Sequence, residues 1–131
     1  MRDYTEPVAE YDGALGPGAT VASWETGAGG MSPERWVDCE GFDKLRISAA
    51  GDDGDSFSVN VLFSNEAAPV PGVLPDRYYG PQYPSGAVFI VSDAHVVHQD
   101  VPLCGAKTVG IELVNGPNVQ AQIQLRAFLL R

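Results

Sequence analysis

Cysteine is almost missing from this chain of 131 residues: Cys39 and Cys104 stand far apart, with no CxxC spacing between them. The pair is expected as two small buried hydrophobes rather than a disulfide. Basic residues are also few. Eight Lys and Arg are scattered against 17 Asp and Glu, giving a formal charge of −9. A surface of that sign repels phosphate backbones, so no nucleic-acid partner is expected. Long apolar runs are missing too. The opening "MRDYTEPVAEYDGALGPGAT" has no apolar core and does not read as a signal peptide. No later stretch is long enough to span a bilayer, so no membrane partner is expected, and synthesis in a reducing cytoplasm is. Helical periodicity is the last absence.

What is present is turn chemistry and alternation. Fifteen glycines and ten prolines punctuate a chain with 44% hydrophobic and 19% charged residues, a globular and turn-rich composition. "KLRISAA" (44–50) puts Leu45, Ile47 and Ala49 on one face. "SFSVNVLFSN" (56–65) does the same with Phe57, Val59, Val61 and Phe63. "KTVGIELV" (107–114) aligns Val109, Ile111 and Leu113. "VQAQIQLRAFLLR" (119–131) alternates throughout, with Val119, Ala121, Ile123, Leu125, Ala127 and Leu129 inward and Gln120, Gln122, Gln124 and Arg126 outward. "TVASWET" (20–26), "RWVDCE" (35–40), "AVFIVSD" (87–93) and "HVVHQDVPL" (95–103) add further short strands. "NGPN" (115–118) has the composition of a hairpin turn. Together these predict an all-β fold, a single antiparallel β-sandwich of about eight strands, jelly-roll-like, over residues 20–131. Residues 1–19, acidic and rich in Gly and Pro, read as an extended N-terminal arm without a core of its own.

The motifs that suggest chemistry have simpler structural readings. "GDDGDS" (51–56) offers Asp52, Asp53 and Asp55, but without the register of an EF-hand, and is expected to be a solvated hairpin loop. In "HVVHQD", His95 and His98 fall on opposite faces of a strand, and His98 with Asp100 makes too few ligands for a metal. There is no GxSxG elbow, no GxGxxG and no Walker pattern. No catalytic residue, cofactor or metal is therefore expected. The segment 66–86 holds five prolines and reads as a loop, where Arg77, Tyr78, Tyr79 and Tyr83 are candidate partner- or sugar-contacting residues. Phe128 and Leu130 make the outward face of the last strand apolar at its tip, which predicts cover by another subunit or by the arm.

"RWVDCEGFDKLRISAAGDDGDSFSVNVLFSN", then "HQDVPLCGAKTVGIELVNG" and the closing "QAQIQLRAFLLR", resemble small β-sandwich proteins of tailed-bacteriophage virions, in which a W-(V/I)-D strand pair opens the sandwich. The resemblance covers about residues 35–65 and 98–131. It implies a non-enzymatic virion structural protein, assembled in the host cytoplasm, that decorates or cements the outer capsid surface. The implied partners are the major capsid protein and further copies of the chain, as a trimer. Under this reading the arm stays mobile until it meets a neighbour, with Val8, Tyr11 and Leu15 as its anchors. The alternative is a fibre-tip or carbohydrate-binding jelly roll that uses the tyrosine-rich loop.

Overall fold

A computed structural model describes residues 7–24, 31–32, 35–51, 56–66 and 96–131, together with the backbone of 78–79 and 89–91. Ten strands follow in chain order: β1 (Ala9–Leu15), β2 (Thr20–Ala22), β3 (Val37–Asp38), β4 (Lys44–Ala50), β5 (Phe57–Ser64), β6 (Tyr78–Tyr79), β7 (Phe89–Val91), β8 (Val97–Pro102), β9 (Thr108–Asn115) and β10 (Gln120–Leu130). No helix occurs among the described residues. One sheet has the order β1-β10-β4-β8. The other is β2-β9-β5-β6, with β3 sharing the β9 edge beside β2 and β7 sharing the β5 edge beside β6. The ten segments therefore occupy eight sheet positions. Every pairing is antiparallel. The chain changes sheet at each step except β2 to β3 and along β5, β6 and β7, which gives the jelly-roll order.

The alternating residues explain the two layers. Leu45, Ile47 and Ala49 of β4 and Ile123, Leu125, Ala127 and Leu129 of β10 face Phe57, Val59, Val61 and Phe63 of β5 and Val109, Ile111 and Leu113 of β9. Each is at most 6% exposed. Removing one such aliphatic side chain from water stabilises by about 1.5–3 kcal/mol.

Four expectations need correction. First, the arm is a strand: Ala9–Leu15 pairs with β10, and Val8, Tyr11 and Leu15 are buried in the chain's own core rather than held for a neighbour. The Tyr11 hydroxyl also donates to the Ala14 carbonyl at 2.5 Å. Second, "NGPN" and "GDDGDS" are not hairpin turns, because β9 and β10, and likewise β4 and β5, lie in different sheets. "NGPN" is a corner where the chain crosses the sandwich; of "GDDGDS", Asp52, Asp53 and Asp55 lie outside the described residues. Third, β10 does not alternate from its start. Gly13 pairs with Ile123 but Leu15 with Gln120, so two steps along β1 match three along β10. That bulge reverses the facing of the first residues: Gln120 is fully buried and Val119 is 57% exposed. Fourth, Cys104 is exposed, in a turn at φ 52, while Cys39 is buried; both are free thiols.

A second, smaller apolar cluster covers the other side of the β9 sheet. Trp24 and Trp36 stack with ring centroids 5.0 Å apart and Ala22 and Leu62 beside them. They lie over Gly110, where a Cβ would come within 2.4 Å of the Trp24 ring. This is why the outward-facing middle of β9 is a glycine, and why the sheet is buried on both faces there.

Candidate contact face

Trp24 and Trp36 cover part of the outer side of the β9 sheet, and the outer face of the β1-β10-β4-β8 sheet is a broad exposed surface of the described fold. Pleating and register place its residues in cross-strand rows. One row runs Glu10, Arg126, Ser48, His98; the next runs Phe128, Arg46, Asp100. The Arg126 Nε lies 3.7 Å from the Glu10 carboxylate. Ser48 Oγ and His98 Nδ1 share a hydrogen bond of 2.7 Å. Arg46 donates twice to Asp100, at 2.7 Å to Oδ1 and 3.0 Å to Oδ2. Lys44 Nζ is 4.0 Å from the same carboxylate. Gln122 donates to Asp12 across the strand pair. The Arg46 hydrogen bond, followed by the Arg46 and Lys44 charges, outweighs partial desolvation and holds the Asp100 carboxyl below its ordinary range.

Between β10 and β8 the face is hollowed. The small side chains of Ser48 and Ala50 on β4 form the floor of a groove of about 260 Å³. Gln124, Arg126 and Phe128 make one wall, and Val96 and His98 the other. Among the described residues no carboxylate contacts the His98 ring, since the Asp100 carboxylate is taken up by Arg46. Among the described residues, the Ser48–His98 pair has no third, orienting group of the kind that activates a serine nucleophile. No group of three or more His, Cys, Asp or Glu suited to a metal occurs among the described residues. Burial first, then the Asp38 charge, pushes the Cys39 thiol up to about 12, so it stays protonated, with Sγ 3.4 Å from the Ala106 carbonyl.

The predicted site residues disperse. Val8, Tyr11 and Leu15 are core. Leu130 is buried too: its carbonyl accepts from the Asp43 amide, and Arg131 lies 4.5 Å over the Phe42 ring, so the chain covers its own tip. Phe128 alone stays half-exposed, on the groove wall. Tyr78 and Tyr79 form a two-residue edge strand beside Phe63 and Ser64, a position that proline-rich flanks tolerate; their side chains, with Arg77 and Tyr83, lie outside the described residues. The groove itself was not foreseen. Its only sequence signal is the outward Ser48 and Ala50 of "KLRISAA"; one wall lies about fifty residues further along the chain and the other nearly eighty.

No family model matches the chain. No curated protein matches it either. Among solved structures, the K1 cleaved adhesin domain of Lys-gingipain from Porphyromonas gingivalis W83 aligns over 92% of this chain and 82% of that one, at 13% identity and a TM-score of 0.43. The K2 cleaved adhesin domain of Lys-gingipain aligns over 99% and 100%, at 14% identity and 0.42. The coat protein of Tobacco streak virus aligns over 98% and 82%, at 13% identity and 0.30. Likenesses this distant say nothing of what the present chain binds.

Proposed function

We propose that the chain is a non-enzymatic structural protein of a tailed-phage virion, a decoration or cement protein that sits on the outer surface of the major capsid protein and assembles with copies of itself. The observation that carries this reading is the outer face of the β1-β10-β4-β8 sheet. It is broad and rigidly backed by the core, and its polar groups are already oriented by cross-strand pairs. Such a face suits contact with another large surface and requires little ordering on binding. The formal charge of −9 fits a place outside the shell, away from packaged DNA. The W-V-D opening and the alternating close of the sandwich add the resemblance to virion proteins. With Ala9–Leu15 built into the sheet, attachment uses a preformed surface instead of an unfolded arm. Gradient-purified virions, probed by immunoblot and quantitative mass spectrometry, are expected to carry the chain in many copies per particle. Its absence from the particle sinks the proposal.

The rival reading, a fibre-tip or carbohydrate-binding jelly roll, draws on the groove, where the Phe128 ring adjoins the polar groups of Gln124, Arg126 and Ser48. Binding of the purified chain to a glycan array, abolished by Phe128→Ala, is the result that favours it over the capsid role.

A further inference from the structure

We infer that the outer face of the β1-β10-β4-β8 sheet receives a second copy of the same chain, face to face about a two-fold axis. The inference rests on the reading above that the chain works by surface contact, and it assigns this face to the contact between copies.

Charge is the first argument. On the described part of this face Lys44, Arg46 and Arg126 stand against Glu10, Asp12 and Asp100, and the six cancel. The formal charge of −9 is thus carried by the rest of the chain. Two copies that meet on the described part of this face bring no net like charge together.

The order of the signs is the second argument. The three bases lie on β4 and β10, the inner strands of the sheet, and the three acids on β1 and β8, its edges. If two such sheets stack with their strands crossed near a right angle, Glu10 and Asp100 of each copy can lie over the central bases of the other. A two-fold contact needs this self-complementarity, because each patch must recognise itself.

Relief is the third argument. Val96 is 57% exposed and Phe128 half-buried, both beside the groove floored by Ser48 and Ala50. Stacked sheets approach to about 10 Å, so side chains of one must enter hollows of the other. This face offers both the apolar knobs and the hollow.

Analytical ultracentrifugation over a concentration series, with amide NMR spectra at the same concentrations, tests the inference. A reversible dimer is expected, with shifts that move along β4, β8 and β10. Arg126→Glu makes the face acidic and should raise the dissociation constant at least about tenfold. Phe128→Ser, which leaves the charge unchanged, should weaken the dimer as well. Lys107→Glu makes the same charge change at an exposed turn off this face and should leave the constant as it is. Spectra of the folded variants confirm that the sandwich is intact. A monomer at every concentration, a trimer, a dimer indifferent to both face variants, or shifts confined to other strands overturns the inference. A strictly monomeric chain that still decorates virions removes the self-docking but leaves the virion role standing.

Discussion

Asp100 shows what a single surface carboxylate can and cannot do. It accepts two hydrogen bonds from Arg46, which holds its pKa below the ordinary 3.8. A folded-state pKa below the unfolded one stabilises the fold above the unfolded value, and that contribution is lost as pH falls through the folded value. Arg46 and Asp100 are 46% and 39% exposed, so water screens the pair and its worth is under about 1 kcal/mol. NMR titration of the Asp100 carboxyl is expected to give a midpoint below 3.8, and Asp100→Asn to cost under about 1 kcal/mol. A midpoint at or above that value contradicts the geometry. Asn115 carries more. Buried at a corner, its side-chain amide reaches the carbonyls of Leu15 at 3.0 Å, Gly16 at 2.7 Å and Asn118 at 2.8 Å. It ties the β1–β2 and β9–β10 corners together, and the Gly116 amide beside it reaches the Ser56 carbonyl at 3.2 Å. Asn115→Asp keeps the size and loses the donor; urea unfolding should show a loss on the order of 3 kcal/mol, and a loss below about 0.5 kcal/mol would refute the tie. The sequence marks Asn115 as a turn residue. It does not mark the hub, because two of the acceptors lie about a hundred positions away.

At the scale of the element, β10 separates what local pattern reveals from what it hides. From Ile123 to Leu129 the inward set follows from alternation alone, since one face of the strand must meet the core. Before Ile123 the same pattern misleads, because the extra residue is accommodated against β1, which the alternation of β10 does not contain. Leu125→Ala is expected to cost about 2–5 kcal/mol and Gln122→Ala within about 0.5 kcal/mol. The bulge adds a sharper contrast: Val119→Ser should be near neutral and Gln120→Ala should cost more than about 1 kcal/mol. If Val119 proves the more costly of that pair, β10 has no bulge. Gly110 illustrates the same limit. As a glycine inside a strand it signals a close approach, but only the fold shows that the approaching group is the Trp24 ring.

For the whole molecule, the class of fold was legible because short alternating strands separated by Gly and Pro have few other solutions. Which strands share a sheet was not, since a corner and a hairpin can use the same turn residues, as "NGPN" does. The place of residues 9–15 was hidden for a related reason: Ala9, Tyr11 and Leu15 alternate correctly, but among acidic and glycine neighbours the stretch reads as an arm until β10 supplies its partner. Deleting residues 1–15 is therefore expected to unfold the sandwich. It removes Val8, Ala9, Tyr11 and Leu15 from the core and bares β10 as an edge. Burial of those side chains is comparable with the roughly 5–15 kcal/mol by which a domain is stable. Circular dichroism that shows a cooperative melt near the full-length temperature would contradict this. In the proposed role, a jelly roll on the outside of a virion makes its contacts through the outer face of the β1-β10-β4-β8 sheet. A cryo-electron microscopy map of purified virions tests it most directly. Density for the sandwich is expected on the outer capsid surface, with Arg46, Arg126 and Phe128 covered by protein. A map in which the sandwich is present and that face looks onto solvent in every copy contradicts it.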